Sequence, residues 1–178
     1  MRRHAILAIA CCLLLPACNM LPAAIAEDGR WRIEVVGELA RPDLPGSESM
    51  GGITWISNSV YWAVTDWNPV VWELDMPADP ATGKLSGCTM RELCRPADAI
   101  DVEGIARDPL DGSMWIADER AGRIKRHDPV TGIVTGAVEL PEIMKGVYKD
   151  LGLESLMISD DGLTMWTCAE AALRCDGP

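Results

Sequence analysis

The chain contains no phenylalanine, only two tyrosines and only two histidines. Each shortage removes a class of chemistry. His127 is the only histidine beyond the first 26 residues, and no Gly-x-Ser-x-Gly occurs. Ser155 and Ser159 therefore lack the partners of a Ser-His-Asp triad. His127 lies in a turn signal and is expected at the surface. No Cys-x-x-Cys occurs, and no histidine neighbours the later cysteines, so the zinc ligand pattern is missing. Basic residues number 16 against 27 acidic ones, a formal net charge of −11. Nucleic-acid binding needs a basic footprint, and none is present. The acidic excess reads as a solvated surface or as a cation-binding cleft. The apolar run Ala5 to Leu15 is too short for a membrane-spanning helix, which needs about 20 residues.

That run has another use. Arg2 and Arg3 precede it, Pro22 follows, and Ala24-Ile25-Ala26 offers a small-x-small cleavage site. Residues 1–26 thus read as a signal peptide, and the mature domain as 31–178. The alternative is a lipoprotein signal, Leu15-Pro16-Ala17-Cys18, with a lipid anchor at Cys18. The expected location is the periplasm or the exterior, or else the outer membrane as a lipoprotein. Of the seven cysteines, Cys11, Cys12 and Cys18 fall in the signal, leaving Cys88, Cys94, Cys168 and Cys175. An even number in an exported chain favours disulfides. Three connectivities are open; Cys88 with Cys94 and Cys168 with Cys175 are the local pairs.

What is abundant is repetition. Gly51-Gly52-Ile53-Thr54-Trp55 leads into Tyr61-Trp62-Ala63-Val64-Thr65-Asp66. Glu103-Gly104-Ile105-Ala106-Arg107 leads into Met114-Trp115-Ile116-Ala117-Asp118-Glu119. Glu154-Ser155-Leu156-Met157-Ile158-Ser159 leads into Met165-Trp166-Thr167-Cys168-Ala169-Glu170. Ile53, Ile105 and Leu156 stand 52 and 51 residues apart. A second phrase, Asp79-Pro80-Ala81-Thr82-Gly83, returns as Asp128-Pro129-Val130-Thr131-Gly132. Two motifs with nearly one period predict an all-β, propeller-like fold of about three blade repeats of 51–52 residues.

Strands are expected over 31–38, 70–74, 104–107, 114–118, 124–126 and 133–140, besides those of the repeat phrases. Asp111-Gly112 and Asp161-Gly162 read as hairpin turns. Residues 88–99 read as a surface loop, and 141–148 as a loop or short helical turn. Trp55, Trp62, Trp72, Trp115 and Trp166 fall in these strands and are expected to pack between blades or across a sheet. Propellers close with four to eight blades, and the third repeat reaches only its second strand before Asp176-Gly177-Pro178. The chain is therefore expected to be the N-terminal part of a longer propeller. A ring assembled from several chains is the alternative.

Together these phrases resemble the bacterial phytase-like family, known for an esterase-like activity of phytase. The matching stretches are Gly51-Gly52-Ile53, Asp101 to Ala106, Asp111 to Glu119, Gly152 to Leu156, and Glu170 to Leu173 with Asp176-Gly177-Pro178. The resemblance implies an exported β-propeller whose recurring acids carry the activity. Here those positions are Asp101, Glu103, Asp118, Glu119, Glu154 and Glu170. Ala169 departs from the pattern where the second repeat has Asp118.

Carboxylates at equivalent points of successive blades converge near one end of a propeller, where they repel unless a cation compensates them. Hard oxygen ligands favour Ca²⁺ or Mg²⁺. Glu103, Asp118, Glu119 and Glu154 are the expected metal ligands. Glu170, with Glu103 and Asp118, is the candidate for catalytic acid–base work. Arg107, Arg120 and Arg123 are candidate phosphate holders. The expected function is hydrolysis of a small phosphate ester or related ester. The alternative is a non-catalytic propeller module of the cell envelope.

Overall fold

The computed structural model describes residues 24–25, 31–32, 49–146 and 152–171. The chain divides into two units, residues 1–43 with 76–88, and residues 44–75 with 89–178. In the first, β1 (Ala24–Ile25) pairs antiparallel with β2 (Trp31–Arg32). The same unit holds the first Asp-Pro-x-Thr-Gly turn, where Asp79 Oδ1 accepts from the Ala81 and Thr82 amides. Except for those four strand residues, the expected signal segment and the expected 31–38 strand lie outside the described residues, as does Cys175. No described helix is long and apolar enough to cross a membrane.

The second unit is all-β, with one 3₁₀ turn over Glu142–Gly146. Its first sheet is a four-stranded antiparallel meander of β3 (Met50–Ser57), β4 (Val60–Thr65), β5 (Val71–Asp75) and β6 (Thr89–Cys94). The second repeats that plan with β7 (Val102–Arg107), β8 (Met114–Asp118), β9 (Arg123–His127) and β10 (Val134–Val138). The third repeat supplies a pair, β11 (Met157–Ile158) with β12 (Met165–Trp166). Each four-stranded meander is the unit expected of a propeller blade, and the fold is a partial, propeller-like all-β arrangement.

Apolar burial lies between successive sheets. Val64, Val71, Val102 and Ile105 form one cluster; Ala117, Ile124, Leu153 and Leu156 form the next. Ile105 is 1% exposed, and burying such a side chain contributes about 1.5–3 kcal/mol. The first strands of neighbouring sheets approach so closely that only glycine fits. A Cβ on Gly52 would stand 3.0 Å from the Glu103 carbonyl oxygen and the Ile105 nitrogen. One on Gly104 would stand 2.8 Å from the Ser155 carbonyl carbon. The recurring Gly-Ile phrase therefore marks the contact between blades.

Four expectations change. Residues 89–94 form the fourth strand of the first sheet. Thr89-Met90-Arg91-Glu92 lacks an apolar face because the strand lies at the sheet edge, where Arg91 pairs with Glu73 of β5. Cys88 and Cys94 form no disulfide, while the Cys168–Cys175 pair reaches outside the described residues. Cys94 is instead built into the first core cluster, and burial pushes its thiol up to about 11. His127 is fully buried: it closes β9 opposite Met114, with Nδ1 3.0 Å from the Gly132 carbonyl oxygen. Of the strand tryptophans, Trp62 is buried and Trp72 and Trp115 half-buried, whereas Trp55 and Trp166 are exposed.

Candidate functional site

The turn that follows the second strand of each repeat sets the site. Asp66 donates its amide to Ser49 O, Glu119 to Asp101 O, and Glu170 to Gly152 O. One backbone bond thus recurs in all three repeats and fixes one carboxylate per repeat at the same place. Asp66 was missed by the sequence reading. Its signal was available: Thr65-Asp66, Asp118-Glu119 and Ala169-Glu170 align once Trp62, Trp115 and Trp166 are superposed.

That alignment also explains Asp118. Its predecessor Thr65 accepts the Val70 amide on its hydroxyl at 2.9 Å. Asp118 does the same with a carboxylate, Oδ1 accepting from Ala121 N at 2.8 Å and Oδ2 from Ile100 N at 3.0 Å. Both oxygens brace turns. Asp118 stands outside the two carboxylate sets described below. Asp101 moves the other way. Expected by resemblance, but readable as a mere turn residue, it is 4% exposed and part of the acidic group.

Two sets of carboxylates each bring ligand oxygens within 4.8 Å of one another: Asp101, Glu103 and Glu119, and Glu119, Glu154 and Glu170. Glu119 belongs to both. It comes from the second repeat and accepts the Gly152 amide of the third on Oε1 at 2.9 Å. Glu103 reaches toward the first repeat, its Oε2 lying 2.8 Å from where a Gly51 Cβ would be. Gly51 is the repeat equivalent of Glu103 and Glu154, so its missing side chain leaves room for the Glu103 carboxylate.

The electrostatics are those of crowded like charges. Burial, then Glu154, Asp66, Glu119 and Asp101, push Glu103 up to about 7. Burial and Glu119 raise Asp66. Burial, Glu119, Asp66 and Asp118 raise Asp101, against a smaller downward pull from Arg120. Burial, Glu119, Glu170 and Asp101 raise Glu154. Asp66 Oδ1 is buried and has no hydrogen-bond partner among the described residues. An all-oxygen set, crowded and partly unsatisfied, fits a hard divalent cation.

Other candidates fall elsewhere. Ser155 Oγ lies 3.1 Å from Cys168 Sγ, and Ser159 is tied into a turn through Thr164 N and Asp161. Arg120 and Arg123 stand at the carboxylate end of the second sheet, beside Glu119 and opposite Asp118. Arg107 is at the other end, paired with Met114 near the Gly112 hairpin.

No curated protein matched the chain. A family profile described as phytase-like, esterase-like activity of phytase, matches residues 46–178. That span holds every carboxylate of the site and all but the first two described strands. The chain belongs to this phytase-like family, whose hydrolase character is at the level of phytase- and esterase-like activity.

Proposed function

We propose that the protein is an exported hydrolase of phosphate esters or related esters, using a divalent cation, Ca²⁺ before Mg²⁺, held by Asp101, Glu103, Glu119, Glu154 and Glu170. The observation that carries this is the double membership of Glu119, which joins carboxylates of successive repeats into one continuous set of oxygens. Calcium tolerates irregular, carboxylate-rich coordination, while Mg²⁺ demands a near-ideal octahedron. When bound, the cation supplies charge neutralisation, polarisation of the phosphoryl oxygen and activation of water.

The chain's own residues divide the remaining work. Glu119 is positioned by its backbone bond to Asp101 and by the Gly152 amide on Oε1, so its carboxylate is preorganised. Glu103, half-buried beside Glu154, Asp66, Glu119 and Asp101, has its ionisation opposed by these neighbours until a cation compensates them. Glu170 is exposed at the edge of the second carboxylate set. It is the proposed general base. Export rests on the first 26 residues, whose composition is that of a signal peptide.

The test is turnover of phosphate monoesters with Ca²⁺, with Mg²⁺ and after chelation. Turnover that needs the cation and falls about 100-fold or more in Glu103→Gln supports the reading. Cation binding with no turnover of any ester would assign the chain to the alternative, a carboxylate-lined binding module of the cell envelope.

A further inference from the structure

The residue after each recurring carboxylate points to substrate choice. It is Trp67 in the first repeat, Arg120 in the second and Ala171 in the third. Trp67 is 61% exposed, and the Arg120 guanidinium stands over its ring, 6.0 Å from the centroid. Trp67 also forms an isolated antiparallel bridge with Asp101, a member of the carboxylate set. Ile100, next to that bridge, is 53% exposed. Trp67, Ile100 and Arg120 thus border the carboxylate set.

Single exposed apolar side chains are common and carry no message, and Arg–Trp pairs are frequent in folded proteins. A second such pair in this chain supplies the contrast. Arg126 lies 6.0 Å from the Trp115 ring. There, Trp115 is half-buried and donates its Nε1 to Asp108, while Arg126 is held by Ser113 and Asp111. That pair is structural. Trp67 is instead presented outward on a braced turn. Thr65 caps the turn through Val70 N, Asn68 takes the left-handed conformation at φ 56°, and Pro69 follows. Rigid presentation lowers the entropic cost of stacking a ligand on the ring.

We propose that Trp67 and Arg120 form a recognition platform at the rim of the carboxylate site, selecting monoesters whose phosphate is joined to a flat aromatic group. Arg120 takes a phosphate oxygen by its fork of donors, and the aryl group stacks on Trp67 beside Ile100. A densely phosphorylated polyanion fits less well, because carboxylates outnumber arginines at this end of the sheet. This inference rests on the ester-binding reading of the site.

The test is calorimetric binding, with saturating Ca²⁺, of two non-hydrolysable probes, phenylphosphonate and methylphosphonate. The wild type should bind phenylphosphonate about tenfold tighter, the order of one aromatic stacking contact. Trp67→Ala should reduce that ratio to about one, and Trp67→Phe should keep most of it. Arg120→Gln should weaken both probes by a similar factor, about five- to tenfold. Circular dichroism on each variant verifies folding, which an exposed position tolerates. A wild-type ratio near one, a ratio unchanged in Trp67→Ala, or no binding of either probe overturns the proposal. Aryl preference in binding without ester turnover overturns the hydrolase reading alone; turnover without aryl preference overturns this inference alone.

Discussion

Replacing Glu103 by Gln removes the carboxylate that its surroundings oppose most. Folded Glu103 holds its proton up to about 7, against an ordinary value of 4.5. Folding therefore favours the protonated form. The associated stability is fully present below 4.5 and is lost as pH rises through about 7. At about 1.4 kcal/mol per tenfold change in proton affinity, the limit is about 3 kcal/mol. Glu103 is only half-buried, solvent screens it, and about 1 kcal/mol remains. His127 acts in the opposite direction: burial holds it below its ordinary range, so its contribution falls as the solution turns acid. The wild-type profile alone mixes these two with the raised Asp66, Asp101 and Glu154. The diagnostic quantity is the stability of Glu103→Gln minus that of wild type, from urea denaturation in chelator between pH 5 and pH 8. It should increase by about 1 kcal/mol over that interval. A flat or decreasing difference would refute the crowded-carboxylate reasoning.

Three further outcomes follow from the same structure. Gly104→Ala forces a Cβ against the Ser155 and Leu156 backbone and should cost about 1–3 kcal/mol; an unchanged urea midpoint would remove the proposed close contact between blades. Asp118→Ala frees two backbone amides and should destabilise by about 1–3 kcal/mol, while Ca²⁺ affinity falls less than in Glu119→Gln; the reverse ranking would return Asp118 to the ligand set. Cys94, buried with its thiol near 11, should resist thiol reagents in the folded protein and react in urea, with the labelled site located by mass spectrometry; rapid native labelling would contradict its place in the core.

The fold was legible because the repeat is carried by residues that do the packing. Ile105 and Leu156 are buried between successive sheets, and Gly52 and Gly104 lie at the close contacts between them, where steric demand leaves few alternatives. The fourth strand of the first sheet was not legible, since an edge strand with a polar outward face reads like a loop. Asp101, Glu103, Glu119, Glu154 and Glu170 could be placed by register. Asp118 has both oxygens on backbone amides, and a carboxylate that caps turns looks, in sequence, like one that binds an ion. Only the Thr65 equivalence separates the two. His127 was misread because its turn context suggests solvent, whereas the Gly132 carbonyl and the end of β9 enclose it. Asp66 was overlooked because the first repeat replaces Glu by Asp at that point.

The central claim is that carboxylates of successive repeats hold one hard cation, with Glu119 shared between them. Calorimetric titration with Ca²⁺ of the wild type and of Glu119→Gln tests it most directly. The account predicts saturable binding by the wild type, weakened at least about tenfold in the variant, since a charged ligand common to both carboxylate sets is lost. Absence of binding by the wild type, or equal affinity in Glu119→Gln, would contradict it.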